Sequence, residues 1–211
     1  MKKLSAIALL LALAFAFAAL ALWATNIALS YAFAAPDADA NAGVAIGAVI
    51  PDFTLPDADG KEHSLASLKG KAGTVIIFMA TQCPISNAYN ARMQKLSDDY
   101  RARGVNVVGI NSNSTEPAAE VKSHAAEKGL TFTILKDANN KIADRFSAQA
   151  TPEAYLLDAS GKLVYHGRID SARYGYLITS ADLRDAIEAT LAGRAVGKAE
   201  VKAFGCSIKR G

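Results

Sequence analysis

Continuous runs of apolar, β-branched residues mark the strands at the centre of the expected fold. Residues 74–79, Thr-Val-Ile-Ile-Phe-Met, follow Gly73 without a polar interruption. Such a run is typical of a strand that is buried on both faces. It therefore predicts a central strand. Further apolar runs predict four more strands, at residues 105–111, 132–135, 154–158 and 163–167.

Helices are expected where apolar positions recur at spacings of three and four. One such pattern begins at Pro84 and continues until Gly104. Three more helices are expected, at residues 116–128, 141–146 and 181–191.

The order of the elements predicts the fold class. Residues 51–56 and 60–65 look like a short N-terminal strand pair, and the turn at residues 158–161 predicts a hairpin. Between them strands alternate with helices. This order predicts an α/β fold with a central mixed sheet and helices on both faces. The charges of residues 116–128 are interpreted as a solvated helix face.

The N-terminus has the layout of a secretory signal peptide. Lys2 and Lys3 precede an apolar run over residues 4–23, and Ala32-Phe33-Ala34 offers a cleavage site. The run is also long enough to remain as a membrane anchor. Either alternative places the rest of the chain outside the cytoplasm, on the periplasmic or extracellular side.

Four segments follow from these patterns. They are a signal peptide or anchor at residues 1–34, a linker at residues 35–46, one domain at residues 47–192, and a C-terminal tail at residues 193–211 that carries Cys206.

The charge balance excludes one class of partner. Without residues 1–34 the chain keeps 21 basic and 20 acidic residues. Nucleic-acid binding needs a concentrated basic face, so no nucleic-acid partner is expected. A membrane partner is expected only if the N-terminal segment is retained.

Cys83 lies where the central strand gives way to a helix that starts at Pro84. Amide groups at a helix N-terminus stabilise a thiolate and lower the pKa of a thiol below its usual value of about 8.5. The hydroxyl of Ser86 could support the sulfur. The alternative is a buried, inert cysteine.

Cys206 is the other cysteine of the chain. Disulfides persist outside the cytoplasm, so the two cysteines could form a redox-active pair or a static disulfide. Cys206 could also stay unpaired or react with another molecule.

A Thr151-Pro152 pair directly precedes a predicted strand. The proline could simply start the strand. It could also form a cis turn whose backbone groups pair with an incoming extended chain.

Taken together, these motifs resemble the thioredoxin-like superfamily. The strand with Cys83-Pro84, and Thr151-Pro152 about 70 positions later, are typical of that fold. Residues 51–60, Pro-Asp-Phe-Thr-Leu-Pro-Asp-Ala-Asp-Gly, and residues 204–209, Phe-Gly-Cys-Ser-Ile-Lys, resemble its redoxin branch, which includes alkyl hydroperoxide reductases and thiol-specific antioxidant proteins. The resemblance implies that Cys83 is the attacking thiol and that Pro152 is a cis-proline beside the substrate.

The chain also departs from the pattern of the family that it resembles. Ser86 stands where a thioredoxin has its second cysteine, so no local disulfide can form. A peroxiredoxin has a proline and a threonine ahead of its cysteine, with the threonine three positions before it. In this chain Thr81 lies two positions before Cys83, and no proline precedes the cysteine. Thr81 and Arg168 are supporting candidates that could donate hydrogen bonds near the sulfur, and Glu153 could carry protons if it is buried.

Three functions remain open. The first is an extracytoplasmic thiol–disulfide oxidoreductase in which Cys83 attacks a protein or small-molecule disulfide and Cys206 or an external thiol resolves the product. The second is a peroxiredoxin-like peroxidase that acts on hydroperoxides at Cys83. The third is a non-enzymatic binding module with a structural disulfide. No metal or cofactor is expected, because the cysteines form no CxxC pair and His63, His124 and His166 share no ligand spacing.

Overall fold

The structure, a computed structural model, describes residues 43–211. The predicted signal peptide at residues 1–34 and most of the predicted linker lie outside the described residues. Within residues 43–211, no helix has the length and apolar character needed to cross a membrane.

Most strands fall where the apolar runs predicted them. The strands of the described residues are β1 (Thr54–Pro56), β2 (Glu62–Ser64), β3 (Gly73–Phe78), β4 (Val105–Asn111), β5 (Thr133–Lys136), β6 (Ala150–Thr151), β7 (Glu153–Asp158), β8 (Leu163–Gly167), β9 (Glu200–Val201) and β10 (Cys206–Ser207).

The helices connect these strands. Over residues 43–211 they are α1 (Leu65–Leu68), α2 (Pro84–Asn87), α3 (Asn90–Arg101), α4 (Ala118–Glu127), α5 (Lys141–Phe146) and α6 (Asp182–Leu191), with one 3₁₀ turn at Gly175–Leu177.

A six-stranded mixed sheet forms the middle of the fold, in the order β5-β4-β3-β7-β8-β9. Strands β3, β4 and β5 are parallel, whereas β7 is antiparallel to both β3 and β8. Every residue of β3 is buried, as expected for a central strand. Two short ladders, β1 with β2 and β6 with β10, lie outside this sheet.

The core occupies both faces of the sheet because side chains of β3 alternate between them. Val75 and Ile77 belong to a cluster with residues of α3 and α6, such as Met93 and Leu183. Ile76 and Phe78 belong to a second cluster that includes Phe146 of α5. The predicted sheet with helices on both faces is therefore confirmed.

The single helix predicted from Pro84 is divided into α2 and α3. Residues 88 and 89 separate the two, and the Ala88 N–H donates to both Pro84 O (3.3 Å) and Ile85 O (3.1 Å). Both bonds end on residues of α2, so they close the last turn of α2 before α3 begins.

Both predicted domain boundaries need correction. Val44 and Ile46, which were assigned to the linker, pack against the second core cluster. At the other end, the predicted tail contributes β9 to the edge of the main sheet and β10 to the ladder with β6. The folded region therefore begins before Gly47 and extends beyond residue 192.

Candidate active site

Cys83 lies at the junction that the sequence predicted, after β3 and directly before α2. It is the N-cap residue of α2, and Pro84 occupies the first helical position. The Ser86 N–H donates to Cys83 Sγ at 3.3 Å. Only 4% of Cys83 is exposed. The sulfur is thus held by a helix-terminal amide in a site that is largely closed to solvent.

Ser86 contacts the sulfur through its backbone amide. Its buried hydroxyl instead accepts a hydrogen bond from the Ala80 N–H at 3.1 Å. The Ser86 hydroxyl therefore does not support the sulfur as predicted. It bonds to the loop between β3 and α2 instead.

Cys83 and Cys206 form a disulfide bond across 123 positions of sequence. Their Cα atoms are 5.9 Å apart. The structure therefore shows Cys206 paired within the chain, and not unpaired or bonded to another molecule. Cys206 is partly exposed, unlike its partner.

Thr151 and Pro152 lie beside this disulfide, and the peptide bond between them is cis. Cys83 Sγ is 3.4 Å from Thr151 O. Cys206 is paired with Thr151 in the antiparallel β6–β10 ladder. The backbone that was expected to pair with an incoming chain is therefore paired with the protein's own C-terminal segment.

Gly205 permits this pairing because it has no side chain. A Cβ atom at Gly205 would lie 2.0 Å from Thr151 O, a distance that no real contact allows. Beside it, the ring of Phe204 packs edge-on against the ring of Tyr89, with centroids 6.3 Å apart. The C-terminal chain is thus packed closely over the cysteine site.

The loop before Cys83 is held by a carboxylate that the sequence analysis placed on a solvated helix face. Glu116 is only 1% exposed, and it precedes α4. It accepts the Thr81 N–H at 2.8 Å and the Gln82 N–H at 3.0 Å. The side chains of Asn111 (2.5 Å) and Asn113 (2.9 Å) donate to it as well. The interpretation of Glu116 as a solvated charge was wrong.

These donors explain the charge state of Glu116. Burial raises the pKa of a carboxyl, but the hydrogen bonds from Thr81, Gln82 and Asn111 together outweigh burial and leave the pKa of Glu116 below its usual value. The group is therefore an ionised acceptor at neutral pH.

The Thr81 hydroxyl donates its hydrogen bond to an acid of α4 and not to the Cys83 sulfur. It donates to Glu120 Oε1 at 2.5 Å, and the same carboxylate accepts the side-chain amide of Gln82. Thr81 consequently supports the loop through α4.

The Arg168 guanidinium is bound by an acid. Its Nε donates to Asp182 Oδ2 at 2.8 Å, and its terminal nitrogen donates to the Ser180 hydroxyl at 3.2 Å. Asp170, which lies only two positions after Arg168, binds Arg92. Arg168 thus ties the end of β8 to the start of α6.

Glu153 is buried, but its carboxylate braces the loop that carries the cis-proline. One oxygen accepts the backbone N–H groups of Gln149 (2.7 Å) and Ala150 (2.9 Å), and the other lies 2.6 Å from His166 Nε2. Burial would raise the pKa of Glu153, yet the hydrogen bonds from His166 and the two amides leave it lowered. An ionised, fully bonded Glu153 positions the loop.

Sequence reasoning missed Glu116 and Asn113. A signal was present, since polar residues follow β4, and the carboxyl ends of adjacent parallel strands meet at one edge of a sheet. Within residues 43–211, no group of three or more histidine, cysteine or acidic residues is arranged to hold a metal ion.

The assembled site is a cysteine at a helix start, a second cysteine on a paired strand, and a cis-proline loop between them. Residues 46–166 match the AhpC/TSA family. The chain belongs to this family. Family membership and the relatives below confirm a thiol-dependent oxidoreductase with a thioredoxin-like fold.

Two curated relatives represent the two enzymatic hypotheses. The thiol-disulfide oxidoreductase ResA of Geobacillus thermodenitrificans is 32% identical over 120 residues, which cover 57% of this chain and 67% of the relative. The chloroplastic peroxiredoxin Q of Triticum aestivum is 33% identical over 129 residues, which cover 58% of each chain.

A solved structure extends the similarity to most of the chain. The crystal structure of a hypothetical protein from Sinorhizobium meliloti is 36% identical, with a TM-score of 0.74. The match covers 81% of this chain and 97% of that protein.

Proposed function

We propose that this AhpC/TSA family member catalyses thiol–disulfide exchange, with Cys83 as the nucleophile and Cys206 as the resolving cysteine. One observation carries the proposal: a cysteine at a helix N-terminus is joined to a distant cysteine that a docked strand brings to it. The similarity to ResA supports the same chemistry.

In the first step, the Cys83 thiolate attacks one sulfur of a substrate disulfide. The substrate S–S bond breaks, a Cys83–substrate disulfide forms, and the other substrate sulfur leaves as a thiolate. The Ser86 N–H and the adjoining helix N-terminus stabilise the attacking anion.

In the second step, the Cys206 thiolate attacks Cys83 Sγ. The mixed disulfide breaks, the remaining substrate sulfur leaves as a thiolate, and the Cys83–Cys206 bond of the structure forms. Two electrons have then passed from the cysteine pair to the substrate.

An external thiol reductant restores the cysteine pair. Cys206 is partly exposed whereas Cys83 is buried, so an incoming thiolate attacks Cys206 Sγ. Cys83 leaves as the thiolate, and a lower-pKa thiol leaves faster. A second reductant thiol then attacks the reductant sulfur on Cys206 and releases Cys206.

Hydroperoxide reduction is the second candidate, favoured by the similarity to peroxiredoxin Q. There the Cys83 thiolate would attack a peroxide oxygen, the O–O bond would break with release of an alcohol or water, and the sulfenic acid would condense with Cys206 to release water. However, Thr81 and Arg168, the side chains that could support a peroxide oxygen, are bonded to Glu120 and Asp182. We therefore favour disulfide exchange.

The test is a comparison of two single-cysteine variants. Cys206→Ser should accumulate a Cys83–substrate disulfide that mass spectrometry detects, whereas Cys83→Ser should lose turnover. A wild type that turns over substrate no faster than Cys83→Ser, with both at the uncatalysed background rate, would refute both enzymatic candidates and leave the non-enzymatic module.

The same Cys206→Ser variant distinguishes disulfide exchange from hydroperoxide reduction. Disulfide exchange predicts faster loss of the free Cys83 thiol with oxidised glutathione than with an equal concentration of hydrogen peroxide. Faster reaction with peroxide would favour the peroxidase.

We also propose that the enzyme acts outside the cytoplasm. The charged and apolar segments ahead of Ala32-Phe33-Ala34 support export, and a disulfide is suited to an oxidising compartment. Cell fractionation with detection of the N-terminus would show whether residues 1–34 are removed. Recovery of the full chain in the cytoplasm would contradict this proposal.

A further inference from the structure

The last four residues bind the protein independently of the disulfide. We call residues 208–211 the anchor segment. Ile208 is 5% exposed and belongs to the second core cluster. Seven hydrogen bonds hold the segment: Ile208 N to Gln149 O, Ser114 N to Lys209 O, Lys209 N to Asn113 Oδ1, Asn140 Nδ2 to Lys209 O, Arg210 Nε to Asp144 Oδ1, an Arg210 terminal nitrogen to Ala148 O, and Gly211 N to Asn140 Oδ1.

Asn113 joins the anchor segment to the loop ahead of Cys83. Its side-chain amide donates to Glu116 at 2.9 Å, and its side-chain oxygen accepts the Lys209 N–H at 2.7 Å. Glu116 in turn accepts the Gln82 N–H. The anchor segment is therefore bonded to the same network that positions the nucleophile loop.

None of these contacts depends on the bond between the two sulfurs. Neither the burial of Ile208 nor any of the seven hydrogen bonds uses a sulfur atom, so reduction of the disulfide removes none of these contacts directly. Two residues of extended chain span at most about 7 Å, so Cys206 stays close to its position in the structure. The main chain at residues 205–207 consequently stays alongside Thr151.

We propose that the anchored C-terminal strand fills the place of a substrate strand in the reduced enzyme, and that it restricts the exchange to low-molecular-weight disulfides. This inference rests on the function proposed above. An extended polypeptide that pairs with Thr151 needs the edge that Cys206 already occupies. A small disulfide needs only the gap that opens when the two sulfurs separate.

The close contact at Gly205 is a second reason why an extended polypeptide cannot pair with Thr151 while the tail is in place. The tail backbone lies so close to Thr151 O that even a methyl group has no room at this position. A second chain therefore cannot insert between the tail and the cis-proline loop. It must displace the tail.

The test compares two disulfide substrates with dithiothreitol as the reductant. Oxidised glutathione is the small probe and insulin is the polypeptide probe. If fewer than one molecule in ten has a displaced tail, the rate with a strand-binding substrate falls at least about tenfold. The full chain should therefore reduce insulin far more slowly, per disulfide, than oxidised glutathione.

Deletion of residues 208–211 removes the anchor segment and keeps both cysteines. The deletion should raise the insulin-to-glutathione rate ratio at least about tenfold, because the population with a displaced tail increases. Arg210→Ala should raise the ratio in the same direction by less. Lys209→Ala is the matched control, since the anchor uses Lys209 only through its main chain, and its ratio should equal that of the full chain.

Two results would overturn the inference. One is a full chain that reduces both probes equally fast, and the other is an unchanged ratio in the deletion and in Arg210→Ala. Failure of the proposed function looks different, because both rates would then be the same in Cys83→Ser as in the full chain.

Discussion

Glu116 is a single residue that holds the nucleophile loop from a distance of more than thirty positions in sequence. Its carboxylate accepts four hydrogen bonds while it is buried. In Glu116→Gln, one side-chain oxygen remains for four donors, and the new NH₂ group faces donors. We expect the free energy of unfolding to fall by about 2–4 kcal/mol at pH 7, measured by urea denaturation.

The pH dependence of this loss follows from the lowered pKa of Glu116. A carboxyl with a lower pKa in the folded state stabilises the fold above its unfolded pKa, and this contribution disappears as the pH falls through the folded value. The difference in the free energy of unfolding between wild type and Glu116→Gln should therefore narrow below about pH 4.5. The exposed control Glu62→Gln should stay within about 0.5 kcal/mol of wild type. A constant difference down to pH 3 would contradict the assigned role.

The same residue marks the limit of sequence-based prediction at this scale. Cys83 could be located because a β-branched run and Pro84 are local signals for a strand end and a helix start. Glu116 was missed. The polar residues after β4 indicated an edge of the sheet but not which groups meet there, because its partners Thr81 and Gln82 come from the preceding strand–helix unit.

At the scale of elements, strand β10 depends on the close approach of Gly205 to Thr151. In Gly205→Ala the new methyl group would meet the Thr151 carbonyl, so the strand must shift and carry Cys206 with it. We expect a slower and less complete formation of the Cys83–Cys206 disulfide when the reduced protein is treated with limiting oxidant. Thiol titration over time measures it.

Gly197→Ala is the control for this change. Gly197 lies in the same C-terminal region, and a Cβ atom there meets nothing within 4 Å. Its disulfide should form as in wild type. Equal disulfide formation in both variants would show that β10 does not need the close contact.

Elements with a local apolar or turn pattern were predictable, and the two-residue strands of the C-terminal region were not. Strands β3 and β4 have enough apolar residues to show a pattern, as does α3. Strands β9 and β10 have two residues each, and their existence depends on partners in β8 and β6. No local periodicity identifies such elements, so residues 193–211 were interpreted as a tail outside the domain.

At the scale of the whole molecule, the disulfide connects the middle of the chain to its end. It closes a loop of 123 positions, and the chain-entropy model assigns such a closure a stabilisation of at most about 5 kcal/mol. Reduction should therefore lower the urea midpoint while the protein stays folded, because the sheet and both core clusters are independent of the bond.

The double variant Cys83→Ser/Cys206→Ser controls for other effects of the reductant. Its urea midpoint should be the same with and without dithiothreitol, and close to that of the reduced wild type. If dithiothreitol shifted the urea midpoint of the double variant as much as that of the wild type, loss of the disulfide would not be the cause of the shift.

The most direct test of the central claim, that Cys83 is an activated nucleophile, is the pH dependence of its alkylation in the Cys206→Ser variant. This variant leaves Cys83 as the sole thiol. The Ser86 N–H and the helix start predict a midpoint well below about 8.5, the ordinary thiol value. A midpoint at or above about 8.5 would contradict the account.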